Sequence, residues 1–87
     1  MTILPPEPNF EALRLRLARL RGEHDWSYDD LAARTGKSRR TLIEIEQGRT
    51  IGSLDTWHAL SHAFDVPLAD LFAALCEDHV APGPDAE

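Results

Sequence analysis

The chain has 87 residues, 43% of them apolar, with nine basic and fifteen acidic side chains and a formal charge of −6. That is the size and composition of one globular domain with a modest core; no apolar run approaches the roughly 18 residues of a membrane helix. The single cysteine, Cys76, excludes an intrachain disulfide and reads as a buried or idle thiol.

In chain order, Pro5, Pro6 and Pro8 make residues 1–8 an extended arm. The opening "MTILPPEPNF" lacks the charged and apolar regions of a secretory signal, so a cytoplasmic protein is the expectation. Asn9 is placed to cap a first helix, in which Phe10, Leu13, Leu17 and Leu20 recur at helical spacing and Gly22 is the expected stop. "LRLRL" at 13–17 also alternates like a strand. Helix is preferred, because Leu, Ala and Arg are good helix formers and β-branched residues are absent.

Ser27 caps a second helix over about Tyr28–Thr35, with Asp29 and Asp30 in the first turn where the helix dipole favours acids and Gly36 at its end. Ser38 caps a third, Arg39–Gln47, with Leu42 and Ile45 inward and Gly48 beyond. Ser53 caps a fourth, whose expected apolar set is Leu54, Trp57, Leu60 and Phe64. Pro67 starts a fifth with Leu68, Leu71, Phe72 and Leu75 inward. Residues 77–87 are acidic and proline-rich, which predicts a disordered tail after a folded domain over 9–76. The fold class is all-α: a five-helix bundle.

Two short helices joined by a three-residue turn containing glycine form a helix-turn-helix unit. Ala32 must be small at the helix crossing, Gly36 must take up a turn conformation costly for residues with a Cβ, and Leu31, Leu42 and Ile45 must be apolar. Charge is consistent with a binding face there. All nine basic residues lie between Arg14 and Arg49, against six acids, whereas residues 50–87 hold seven acids and no lysine or arginine. An anion can therefore meet the basic middle without meeting the acidic end.

On the residues "WSYDDLAARTGKSRRTLIEIEQGRT" and "SLDTWHALSHAFDVPLADLF", the chain resembles the phage-repressor and Cro-type helix-turn-helix family, the Xre family, from about Phe10 to Leu75. The resemblance implies a repressor-like bundle and a DNA-binding transcriptional regulator whose third helix enters the major groove. Carried over by position, Arg39, Arg40 and Glu44 are the base readers. Arginine can fork onto guanine O6 and N7, and glutamate can accept from cytosine N4. The same residues also suit a solvated helix face, with Glu44 as the i,i+4 partner of Arg40. Ser38, Thr41 and Gln47 are placed to reach phosphates or bases, and Arg49 and Thr50 lie where the family touches the backbone. The resemblance also implies a structural, partly buried ion pair between Arg21 and Glu46.

Four residues depart from the family pattern. Tyr28 stands where glutamine is frequent and either donates to a phosphate or packs on its own helix. Lys37 occupies a slot that is usually apolar, with its stem on the core and its ammonium outward. Gly52 and Pro67 replace a common proline and a common serine. Arg14, Arg16 and Arg19 read as the solvated face of the first helix.

His58 and His62 have metal-ligand spacing, but no third ligand is evident, so no metal site and no cofactor are expected. Trp26 and Trp57 read as core. No nucleophile–base–orienter set is apparent, so no enzyme is expected. One short recognition helix makes too few contacts for specificity, so a homodimer on double-stranded DNA is expected, with the fifth helix and the tail as its surface and Leu68, Phe72 and Leu75 as the apolar surplus. The rival reading is a protein-interaction module, antitoxin-like or an accessory partner, that uses the acidic C-terminal half. No membrane partner is expected.

Overall fold

The computed structural model describes residues 7–77. Among them lie five α-helices: α1 (Phe10–Glu23), α2 (Tyr28–Thr35), α3 (Arg39–Glu46), α4 (Leu54–Phe64) and α5 (Leu68–Phe72), followed by a 3-10 turn over Ala73–Cys76. The expected arm (1–8) and tail (77–87) fall almost wholly outside the described residues.

The helix starts follow from their caps. The side chains of Asn9, Ser27, Ser38 and Ser53 each accept from a backbone N–H in the first turn of α1, α2, α3 and α4, satisfying donors that have no partner inside the helix. Pro67 stands at the cap position of α5 and offers no side-chain bond. Its fixed backbone suits a helix entry, and its carbonyl accepts from Asp70 and Leu71.

The ends of α1 and α3 differ from expectation: α3 stops at Glu46, with Gln47 as its C-cap. Gly22 does not stop α1; the helix runs on through Glu23 with His24 as its C-cap. The left-handed residue that turns the chain is Asp25, at φ 59°. A short polar side chain tolerates that conformation better than most, so aspartate can serve where glycine was expected. Asp65, at φ 57°, ends α4 in the same manner.

The core is one cluster drawn from every helix: Leu13 and Leu17, Leu31, Leu42 and Ile45, Trp57, Leu60 and Phe64, then Leu71 and Ala74. Phe10 and Leu54, both expected inward, are 42% and 67% exposed. Each is the first residue of its helix, where correct periodicity points a side chain past the end of its packing partners. Leu68, Phe72 and Leu75 are partly buried against the core. The exposed large apolar side chains among the described residues are Phe10, Leu15, Ile51 and Leu54. Cys76 is free and exposed, not buried.

The two ends of the domain are tied together. Asn9 donates from its backbone N–H to Leu75 (2.8 Å) and from Nδ2 to the carbonyl of Glu77 (2.8 Å). The same side chain that caps α1 thus fastens the 3-10 turn. No single helix among the described residues is long and apolar enough to cross a membrane.

Gly52, at φ 89°, is demanded by packing as well as by backbone. A Cβ there would lie 2.7 Å from Ile45 Cδ1 and 3.1 Å from Trp57 Nε1. The Trp57 ring is fixed by its own Nε1–H, which donates to the carbonyl of Ile51 at 2.7 Å, so the indole cannot easily give way. Gly52→Ala should cost about 1–3 kcal/mol and lower Tm by at least about 4 °C. Gly22→Ala meets nothing within 4 Å and lies inside a helix, so it should raise stability by about 0.5–1 kcal/mol. Opposite signs for the same chemical change in thermal unfolding would establish the contrast; equal effects would exclude it.

Candidate nucleic-acid interface

The α2–turn–α3 unit is built from local chemistry. Ser27 and Asp30 form a reciprocal capping box: Ser27 Oγ accepts from the Asp30 N–H and Asp30 Oδ2 from the Ser27 N–H, each at 3.0 Å. That backbone hydrogen bond holds the Asp30 carboxyl below the usual carboxylate range. Gly36, at φ 74°, closes α2 with its N–H on the Ala32 carbonyl. Thr35 Oγ1 donates to Leu31 and accepts from the Lys37 N–H, bracing the turn from inside. Ser38 then accepts from the Thr41 N–H at 3.1 Å and donates its own hydroxyl proton to Thr41 Oγ1 at 2.8 Å. Both hydroxyls are therefore engaged with each other at the head of α3.

Leu42 and Ile45 are buried and hold the inner face of α3. Its far end is held by charge. Glu46, only 8% exposed, accepts from Arg21 Nε at 2.6 Å and from Arg21 Nη2 at 3.0 Å, a two-pronged contact between α3 and α1. Tyr28, at the start of α2, donates its hydroxyl to Glu46 Oε1 at 2.9 Å, and the Arg21 guanidinium lies 4.1 Å from the centre of its ring. Arg21 Nη1 also donates to the Trp26 carbonyl, and Arg14 Nη1 to the carbonyl of Glu46. Three helices meet at one carboxylate. The Tyr28 hydroxyl, a candidate for a phosphate, is committed to this cluster. Burial first, then the bond to Glu46, pushes its pKa up.

The outer face carries the candidate readers. The Arg39 and Arg40 side chains are 61% and 88% exposed at the first turn of α3. Gln47, Arg49 and Thr50 follow on the exposed surface past its end. Thr50 Oγ1 accepts from the Gly52 N–H. The Lys37 stem is partly covered and its ammonium pairs with Asp55 of α4, which holds the Asp55 carboxyl below the usual range. Arg39 Nε lies 3.3 Å from Asp29 Oδ1, and Arg40 Nε 3.4 Å from Glu44 Oε2.

The sequence reading credits Asp29 only to the helix dipole and does not single out Asp55. Their pairing across elements depends on how α2, α3 and α4 converge, which no local pattern carries. Arg34, in turn, lies over the Trp26 ring at 4.2 Å. His58 and His62 stand exposed with ring centres 4.7 Å apart, and among the described residues no three metal-binding side chains come together.

The sequence profile of the helix-turn-helix family matches residues 15–71. An uncharacterised helix-turn-helix-type transcriptional regulator of Methanocaldococcus jannaschii is 33% identical over 60 residues, covering 69% of this chain and 91% of that protein. A helix-turn-helix-type regulatory protein of Pyrococcus horikoshii is 36% identical over 66 residues, and the chain spans only 21% of its length. Among solved structures, the restriction-modification controller protein C.AhdI of Aeromonas hydrophila superposes with a TM-score of 0.69 at 28% identity, over 74% of this chain and 97% of that one. The N-terminal DNA-binding domain of SinR from Bacillus subtilis gives 0.67 at 26% identity, over 79% and 97%. The chain belongs to the helix-turn-helix family, the DNA-binding transcriptional regulators of the Xre and Cro type.

Removing the Glu46 carboxylate strands Arg21 and Tyr28. Glu46→Ala should cost about 3 kcal/mol, the lower end for a broken buried pair because Arg21 keeps some solvent; an effect below about 1 kcal/mol in denaturant unfolding would refute the cluster's structural role. Tyr28 is the only tyrosine, so absorbance titration reports it alone. Its midpoint should lie above the ordinary value near 10 and come down in Glu46→Gln. Because the folded pKa is raised, the stabilisation from the neutral phenol is complete below the unfolded pKa and is lost as pH climbs through the folded one.

Proposed function

We propose that this chain is a sequence-specific DNA-binding transcriptional regulator of the cytoplasm, acting as a homodimer on a two-fold operator with α3 in the major groove. The observation that carries the reading is the division of α3 into two faces. Leu42, Ile45 and Glu46 fix the helix to the domain, while Arg39 and Arg40 stand free of the core at its capped N-terminal end. A helix held on one side and armed at its N-terminus is what major-groove reading requires.

In this reading Arg39 and Arg40 fork onto guanines. Thr41, Gln47, Arg49 and Thr50 border the readers and set register against phosphates, with Lys37 and Ser38, paired to Asp55 and Thr41, beside them. The structural likeness to the SinR DNA-binding domain supports it. A dimer follows from the energetics. Bidentate contacts worth about 1–3 kcal/mol each, made by one eight-residue helix, leave too little discrimination against a genome of competing sites.

Selection of the purified protein from a random duplex library should recover a palindrome with half-sites about one helical turn apart, roughly 34–36 Å. Arg39→Ala and Arg40→Ala should each weaken operator binding by about 1–3 kcal/mol and relax one base position per half-site. No enrichment, and no binding at about 50 mM salt, would reject this function and favour a protein partner for the acidic C-terminal half.

A further inference from the structure

The basic residues of the helix-turn-helix face are met by acids, and the atom each acid meets is informative. Asp29, at the start of α2, approaches Arg39 at Nε, 3.3 Å away. Glu44, one turn further along α3, approaches Arg40 at Nε, 3.4 Å away. Arg40 Nε–H donates to Glu44, whereas Asp29 and Arg39 form an ion pair without a hydrogen bond; in both the nearest approach is to the inner nitrogen of the guanidinium. Lys37 on the same face is likewise neutralised by Asp55. The Asp29–Arg39 and Lys37–Asp55 pairs join different elements, whereas Arg40–Glu44 is an i,i+4 pair within α3.

A guanidinium offers five N–H donors in a fixed fork. An acid at the Nε side leaves the two terminal nitrogens for other acceptors, and these match O6 and N7 of guanine. The acid also cancels the positive charge, and that charge is what attracts phosphate without regard to sequence. An arginine paired in this way therefore keeps its hydrogen-bonding fork and loses part of its indiscriminate pull.

We propose that Asp29 and Glu44 are specificity-determining positioning residues: each lies at the Nε side of its arginine, leaves the terminal fork to guanine, and suppresses sequence-independent binding to the phosphate backbone. This rests on the reading of α3 as a base-reading helix. It also accounts for a DNA-facing surface in a chain of formal charge −6, because low net attraction to DNA becomes the means of discrimination.

Asp29 is the cleaner test, since its side chain is 83% exposed and Glu44 sits beside the bases in the same reading. Asp29→Asn is compared with Asp65→Asn, which makes the same charge change at the far end of α4. Thermal unfolding checks that α2 stays intact. Affinity for the selected operator and for a random duplex is measured against salt.

In Asp29→Asn, random-duplex affinity should rise about threefold. Its log–log salt slope should steepen by about 0.9, the value for one added phosphate contact. Operator affinity should stay level or fall, so the operator-to-random ratio drops by at least about threefold, and the preference for guanine should relax at one position per half-site. Asp65→Asn should leave the ratio unchanged.

If both variants raise affinity for both duplexes alike, only net charge matters and the positioning role is overturned. An unchanged ratio and unchanged base preference in Asp29→Asn overturns it while leaving the base-reading function standing. If the parent protein itself prefers no sequence, the base-reading assignment fails and this inference falls with it.

Discussion

The placement of α3 depends on one carboxylate. Glu46 lies in the last turn of α3, where the helix dipole is negative and an acid is disfavoured. It is also buried, and a buried unpaired charge costs several kcal/mol. Both penalties are offset only because Arg21 reaches it with two nitrogens and Tyr28 with a hydroxyl. Those donors come from the last turn of α1 and the first residue of α2. One anion therefore fixes three elements at once, and it does so with directional contacts, whereas the apolar contacts of Leu31, Leu42 and Ile45 fix separation but tolerate sliding.

The opposite end of α3 is organised by the reverse arrangement. There the dipole is positive, yet two arginines stand in the first turn, a placement that disfavours the helix. Ser38 compensates in part by capping the Thr41 N–H. The acids at Asp29 and Glu44 return negative charge to the neighbourhood. Both ends of α3 thus carry charges of the wrong sign for a free helix, and both are rescued by partners. At the Glu46 end the pair is buried and rigid; at the Arg39 end the pairs are exposed, so each contributes little stability and is easily rearranged. Firm anchoring behind and loose pairing in front is the distribution of strength that the proposed base-reading role of α3 calls for.

How much of this was legible in the sequence differs by the range of the interaction. The helix starts could be read because a cap acts over three residues: Asn9, Ser27, Ser38 and Ser53 are each identifiable from their neighbours alone. The inward sets of α2 and α3 could be read because periodicity is local. Leu54 and Phe10 were misread, since period cannot say where a helix overhangs its partners. Gly22 was misread because a glycine near a helix end is only a weak stop signal, and Asp25 can take the left-handed turn instead. The close approach of Ile45 and Trp57 to Gly52 and the tie from Asn9 to Glu77 depend on residues distant in sequence. For the same reason, the Tyr28 bond to Glu46 and the Asp29 contact to Arg39 carry no sequence signal. The pairing of Arg21 with Glu46 is equally long-range, and it was reached only through the family resemblance.

The short length of α3 makes these distinctions consequential. Eight residues leave no position to spare: Leu42, Ile45 and Glu46 face inward, Arg39 and Arg40 outward, and Thr41 is engaged with the cap. A longer helix could shift along its axis and still present some suitable side chain. Here a shift of one residue would bring Ile43 or Glu44 to the core in place of Leu42 or Ile45, and would turn the arginines off the outer face by about 100°. Register is therefore set by the whole domain, through Glu46 at one end and Ser38 at the other. A substitution far from the outer face, such as one that crowds Ile45 through Gly52, acts on Arg39 and Arg40 by moving the helix that carries them.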